Sequence, residues 1–235
     1  MAEKISFICP ALNEEELVEQ TVREFMEKID GLFEAYEILL FNDGSTDKTP
    51  EIMDRLENEF PEIIKVTHNP INRNIGYCFK EGIKKASYPY VQLICSDSTF
   101  DRGSYINISQ ALGKTDIVVP YVVNLKEEKT PFRYKLSCVY RVLMNFLFGL
   151  KLKYHNGLSV FKSDQIRSIS IRSDGFFFQV ECLVKLLKKG STYQEVSCST
   201  FPFFRIEARA LSMGNVVDMA KAVTMLFVDV RLRDR

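Results

Sequence analysis

The chain has 235 residues, with Lys+Arg 31 balanced by Asp+Glu 31. A formal net charge of zero excludes a nucleic-acid binder whose affinity rests on a broad basic excess. The 46% hydrophobic and 26% charged fractions are those of a globular protein and exclude a disordered one.

The first half alternates short β-rich runs with helical stretches. Ile5–Cys9 reads as a strand, and 14–29 as a helix with Leu17, Val18, Thr21, Val22, Phe25, Met26 and Ile29 on one face. Glu37–Phe41 reads as the next strand, closed by turn chemistry at Asn42-Asp43-Gly44-Ser45. Asp47 is placed as the N-cap of a helix to about Glu59, with Pro50 near its start. A strand at 63–67, a helix near 76–86, a strand at 90–95, a helix near 104–112 and a strand at 117–120 follow. This β-α-β order predicts an α/β chain with a mainly parallel central sheet flanked by helices. The second half reads as a long helix over 131–150, a strand-like stretch at 156–161 and a buried helix at 177–189. Extended segments at 192–197 and 200–204 come next, then an amphipathic helix over 215–232. One domain over 1–235 is expected.

Six scattered cysteines contain no C-x-x-C pair, which excludes zinc ribbons and thioredoxin-type redox sites and reads as core packing. The N-terminus leads straight into a β-like run with no signal-peptide pattern. The longest apolar run, 142–150 broken by Asn145, is far short of the ~20 residues a spanning helix needs. A cytoplasmic protein is expected.

Ligands of such sheets bind at the carboxyl ends of the strands. Three polar clusters fall there: Asn13-Glu14, Asn42-Asp43 and Asp97. Asn42 to Asp47 is either a turn and helix cap or a site where Asp43 accepts the imide N–H of a nucleobase. Asp97, after Cys95-Ser96, is either a cap or a ligand for Mg2+ or Mn2+ sharing the ion with diphosphate oxygens. Arg205 and Arg209 are either surface cations or a diphosphate clamp. Glu181, in an apolar helix, must be paired or functional. P-loop and Rossmann glycine motifs and G-x-S-x-G are all absent.

Ile8 to Glu15, Tyr36 to Asp47, Asn74-Ile75-Gly76, Tyr90 to Asp97, Tyr154 to Gly157, Gly175 to Glu181 and Tyr193 to Val196 together resemble family 2 glycosyltransferases, most closely the dolichyl-phosphate mannose synthase-like branch. The resemblance implies a GT-A fold, with a nucleotide-sugar-binding half over 1–124 and an acceptor-side half with the C-terminal helix over 125–235. It implies inverting, metal-assisted transfer from a UDP- or GDP-linked sugar to a lipid phosphate or a glycan hydroxyl, in cell-surface glycan synthesis. Pro10, Ala11, Leu12, Asn13, Glu14, Asn42, Asp43, Gly76, Ser96, Asn156, Gly157 and Gln179 would bind substrate. Asp97, Glu181, Arg205 and Arg209 would be catalytic, with Asp97 holding the metal. Glu181 and Asp101 are the acids available as a general base for a hydroxyl acceptor. Peripheral contact with the inner membrane face, through 146–152 with Lys151 and Lys153 or through the C-terminal helix, is set against ordinary core packing of those segments.

Three departures accompany the resemblance. Cys95 stands where the first acid of D-x-D is expected, Asn42 where the first acid of D-D-G-S is expected, and Ala208-Arg209 where the late motif has Ser-Lys. They keep open a catalytically degenerate nucleotide-sugar-binding or scaffold protein. A nucleotidyltransferase is disfavoured, because no glycine-rich basic loop follows the first strand.

Overall fold

The computed structural model describes residues 3–96, 100–128, 130–199 and 213–230. In chain order the elements are β1 (Lys4–Ala11), α1 (Val18–Ile29), β2 (Ala35–Asp43), α2 (Thr49–Glu59), β3 (Ile64–Asn69), α3 (Ile75–Lys85), β4 (Tyr90–Leu93), α4 (Arg102–Ala111) and β5 (Ile117–Val122). Then come α5 (Leu125–Glu128), α6 (Pro131–Phe148), β6 (Val160–Lys162), α7 (Ser163–Arg167), α8 (Phe178–Lys188), β7 (Tyr193–Cys198) and α9 (Met213–Val228).

The strands form one sheet in the order β3-β2-β1-β4-β6-β5-β7. β1 pairs in parallel with β2 and β4, β2 with β3, and β5 with β7. Among the described strands only β6 runs the other way, antiparallel to both β4 and β5. The expected mainly parallel sheet is therefore present, with one reversed strand inserted between β4 and β5.

Alternation along the strands explains why helices cover both faces. From β1, Ile5, Phe7 and Cys9 enter one apolar cluster and Ile8 enters the other. From β2, Ile38 and Leu40 join the first, while Leu39 and Phe41 join the second. On α1, Val18, Val22, Phe25 and Ile29 recur at helical spacing and pack on the first cluster, with Phe25 edge-on to Phe7 at 4.7 Å. Each such buried side chain is worth about 1.5–3 kcal/mol of transfer free energy. On the other face α3 lies very close to the sheet at Gly82, where a Cβ would stand 2.7 Å from Ile8 side-chain atoms. A third cluster, including Met144, Phe148, Val184 and Leu226, joins α6, α8 and α9.

Three local expectations are corrected. The first helix starts at Val18 rather than at residue 14, because Asn13 takes a left-handed φ of 56° and the amides of Asn13, Glu14 and Glu15 bond outward to another loop. Residues 156–159 are not strand; Ser159 N donates to Gly157 O at 2.7 Å in a tight turn that delays β6 to Val160. The short helices α5 and α7 were not anticipated. The expected extended segment at 200–204 lies outside the described residues.

Candidate active site

Two strand-end loops clasp each other at the carboxyl edge of the sheet. Asn13 N donates to Ser45 Oγ at 3.0 Å, Glu14 N to Thr49 Oγ1 at 2.8 Å and Glu15 N to Asp47 Oδ2 at 3.2 Å. In return, Thr46 N donates to Asn13 Oδ1 at 2.8 Å and Lys48 N to Glu15 Oε2 at 3.0 Å. Pro10, Ala11 and Leu12 lead into this clasp, so the β1 end and the β2 end are held as one surface. Gly44 has a φ of 78°, and a Cβ there would stand 2.5 Å from the Ile71 carbonyl carbon. Only glycine lets the β3–α3 loop close down on the clasp.

Asp43 is 4% exposed and organises that third loop. Its Oδ1 accepts from Asn69 Nδ2 at 2.8 Å and Arg73 N at 2.9 Å, and its Oδ2 accepts from Asn74 N at 2.9 Å. A carboxylate offers about four acceptor positions; these three bonds fill three of them, and the Cys78 thiol, a weak donor, turns to the same carboxylate. Asn42 Oδ1 accepts from Ser45 N at 2.9 Å, and its Nδ2 lies 3.1 Å from His68 Nδ1. His68 Nε2 lies 2.9 Å from Asp54 Oδ1. Asn42 therefore ties the Ser45 turn to the His68–Asp54 pair.

The loop continues to the other half of the molecule. Gly76 N donates to Asp174 O at 2.8 Å, and a Cβ on Gly76 would stand 2.6 Å from Ser173 O. Lys80 Nζ bonds Asp174 Oδ1 at 2.6 Å. The 172–174 loop is itself held by Glu181, whose carboxylate accepts from Arg172 N at 3.0 Å, Ser173 N at 2.9 Å and Lys185 Nζ at 2.6 Å. Asp43, Gly76 and Glu181 thus belong to one connected network. Glu181 acts there as an anchor for backbone. Asp101 is likewise engaged, its Oδ1 accepting from Ser104 N at 2.7 Å as the N-cap of α4.

On the opposite side of the sheet centre, the reversed direction of β6 carries the residues before it to the same carboxyl edge. Gly157 presses on β5, where a Cβ would stand 2.1 Å from Pro120 O. Asn156 is exposed beside it. His155 is 2% exposed and lies edge-on to Tyr140 of α6 at 6.3 Å, with both ring nitrogens unpaired. Burial, helped by the charge of Arg141, pushes its pKa down to about 4, so the imidazole is neutral at pH 7. The sequence assigns His155 no role of its own, since no local pattern marks a buried unpaired imidazole. Gln179, at the start of α8, also has a buried Oε1 without a partner.

Cys95 and buried Ser96 mark the β4 end, while Asp97, Arg205 and Arg209 lie outside the described residues. Among the described residues no group of three or more His, Cys, Asp or Glu could hold a metal ion. A shallow cavity of about 210 Å³ opens beside the clasp, lined by Asn13, Glu14, Glu15, Glu16, Leu17 and Asp47. Its wall is acidic, carrying Glu14, Glu15, Glu16 and Asp47, which disfavours a diphosphate group against it. Burial pushes the Cys78 and Cys198 thiols up to about 12, which makes them inert packing groups rather than nucleophiles.

The family model described as Glycosyl transferase family 2 matches residues 6–169. The poly-beta-1,6-N-acetyl-D-glucosamine synthase of Staphylococcus epidermidis is 35% identical over 104 residues, covering 42% of this chain and 23% of that protein. The enzyme of that name from Staphylococcus aureus strain COL is 33% identical over 100 residues, covering 43% of this chain and 23% of that protein. The chain thus spans under a quarter of the length of these relatives. Glucosyl-3-phosphoglycerate synthase from Mycobacterium tuberculosis, solved with Mg2+ and UDP, superposes with a TM-score of 0.68 at 16% identity, over 97% of this chain and 79% of that one. The same enzyme with Mn2+, UDP-glucose and phosphoglyceric acid gives a TM-score of 0.70 at 17% identity, over 97% and 79%. These likenesses show a shared fold of the GT-A type.

Proposed function

Because the chain belongs to glycosyl transferase family 2, we propose that it moves a sugar from a UDP- or GDP-linked donor to an acceptor, with inversion at the anomeric carbon. The observation that carries this reading is the clasp that sets Pro10 to Glu14 beside Asp43 at the carboxyl edge. The β1-end backbone lines the nucleotide pocket, and Asp43 takes the imide N–H of the base in place of the weakly donating Cys78 thiol. Asn156, Gly157 and Gln179 face the transferred sugar or the acceptor. Arg205 and Arg209 bind the leaving diphosphate, for which the guanidinium donor fork is suited.

Asp97 and the diphosphate would hold Mg2+ or Mn2+, which neutralises charge on the leaving group when bound. The mycobacterial enzyme, solved with Mn2+ and UDP-glucose, supports this assignment by analogy of fold. A hydroxyl acceptor needs a general base within hydrogen-bond reach, whereas a phosphate acceptor is already an anion. Glu181 and Asp101 are both committed to backbone N–H groups. That commitment favours a phosphate acceptor, and a polyprenyl phosphate is the one expected for the dolichyl-phosphate mannose synthase-like branch. Likeness to the staphylococcal synthases supports a role in cell-surface glycan synthesis, and the reading puts the enzyme in the cytoplasm, at the inner face of the membrane.

Calorimetric titration of UDP-, GDP- and nucleotide-sugar ligands, with and without Mn2+, tests the assignment. One nucleotide class is expected to bind in a metal-dependent manner, and Asp97→Ala to weaken it by about tenfold or more, the equivalent of ~1.4 kcal/mol. Binding by neither class would remove the donor reading. Binding without sugar transfer or hydrolysis would establish the degenerate, nucleotide-sugar-binding alternative instead.

A further inference from the structure

The zero net charge of the chain conceals an uneven distribution. Between residues 129 and 163 there is no Asp or Glu, while Lys129, Arg133, Lys135, Arg141, Lys151, Lys153 and Lys162 are all present. The helix α6 occupies the middle of this cationic stretch.

One face of α6 is packed. Met144 and Phe148 are buried against α8 and α9, with Phe148 edge-on to Phe227 at 6.3 Å. The opposite face carries Phe132, Leu136, Val139, Val142, Leu143 and Phe146, all exposed, Phe132 by 73% and Phe146 by 82%. At 100° per residue these six positions fall within an arc of about 120°, forming a stripe roughly 20 Å long. Lys135 is exposed on that arc, and Arg133, half-buried, lies about 60° beyond its edge. Six large apolar side chains in one contiguous stripe are far more than the scattered exposure usual for a soluble surface. Met225 and Val228 of α9 are also exposed.

We propose that the outer face of α6 lies in the interface of an anionic lipid bilayer, with the apolar stripe among the acyl chains and the flanking cations among the headgroups. Charge selects this occupant. A cationic helix with a wide apolar face is what a negatively charged lipid surface attracts. A second copy related by a two-fold axis would set the same cations against each other with no acid on the face to answer them. The helix lies on the bilayer and does not cross it, since no described helix is long and apolar enough to span. The inference does not depend on sugar transfer.

Flotation of the full chain with vesicles provides the test, one set of phosphatidylcholine with 30% phosphatidylglycerol and one of phosphatidylcholine alone. The chain is expected to float with the anionic vesicles, and raising the salt to 0.5 M to release much of it. The triple variant Phe132→Ser/Val139→Ser/Phe146→Ser, changed only at exposed positions, is expected to lose about tenfold or more of the bound fraction. Its circular dichroism and nucleotide binding should match the parent, which separates lost docking from lost folding. Absence of flotation, or equal flotation of the variant, overturns the proposal. So does a parent that sediments as a dimer which the triple variant dissolves, because the stripe would then be a contact between copies.

Discussion

Replacing Glu181 by glutamine keeps the side chain's length and removes its charge. In the native chain the carboxylate accepts from Arg172 N, Ser173 N and Lys185 Nζ, with Glu181 and Lys185 side chains only 5% and 12% exposed. The amide group of the glutamine must turn its NH2 toward one of these donors, leaving that donor unpaired in a buried place. Breaking a buried pair from one side costs about 3–5 kcal/mol. Lys185 retains Ser170 O at 2.7 Å and Asp229 at 3.8 Å, which places the expected loss near the lower end, about 3 kcal/mol. For a chain of this length that lowers Tm by roughly 6–12 °C. Scanning calorimetry measures the shift, and transfer assayed well below the lowered Tm separates stability from chemistry. The anchoring role predicts a large fall in Tm with substantial residual turnover. A Tm within about 2 °C of the parent, together with abolished turnover, would refute it and make Glu181 the base.

Gly157→Ala places a methyl where Pro120 O already stands 2.1 Å away, so the β5 backbone must move; a loss of about 1–3 kcal/mol is expected, and an unchanged urea midpoint would contradict the packing. His155 has a pKa of about 4 in the fold against an ordinary 6.5, so between those values the unfolded chain binds more protons. Stability therefore rises with pH across that window and is lost as pH falls through it, by up to about 3 kcal/mol. His155→Phe should flatten the Tm–pH profile between pH 4 and 6.5; parallel profiles for the two proteins would show that His155 does not titrate as described.

The strand and helix order was readable because each central strand is a short apolar run closed by polar turn residues, as at Ile38 to Asp43. The placement of Asp43 and Asn13 at one sheet edge was readable for the same reason: each stands where the apolar run of a strand ends. What sequence hid was pairing at long separation. Nothing local announces that Glu181 holds the amides of Arg172 and Ser173, or that Gly76 meets Asp174 across nearly a hundred residues. The first helix began late because tertiary bonds from the 45–49 loop outcompeted helical bonds at Asn13 to Glu15. Near Gly157, contact with Pro120 overrode the strand tendency of the residues after it. Asp97, Arg205 and Arg209 lie outside the described residues, so their expected roles rest on sequence.

The single reversed strand divides how the two sides of the cleft are encoded. On the β3-β2-β1-β4 side, the residues at the carboxyl edge are those that leave a strand, so each loop there is tied to the helix that follows it. At β6 the edge is reached by the residues that enter the strand, on the long connection from α6. Length added to that connection lands beside the cleft without displacing any strand-to-helix turn of the opposite wall. The two walls can accordingly diversify at different rates, one constrained by the clasp and the other free to be rebuilt.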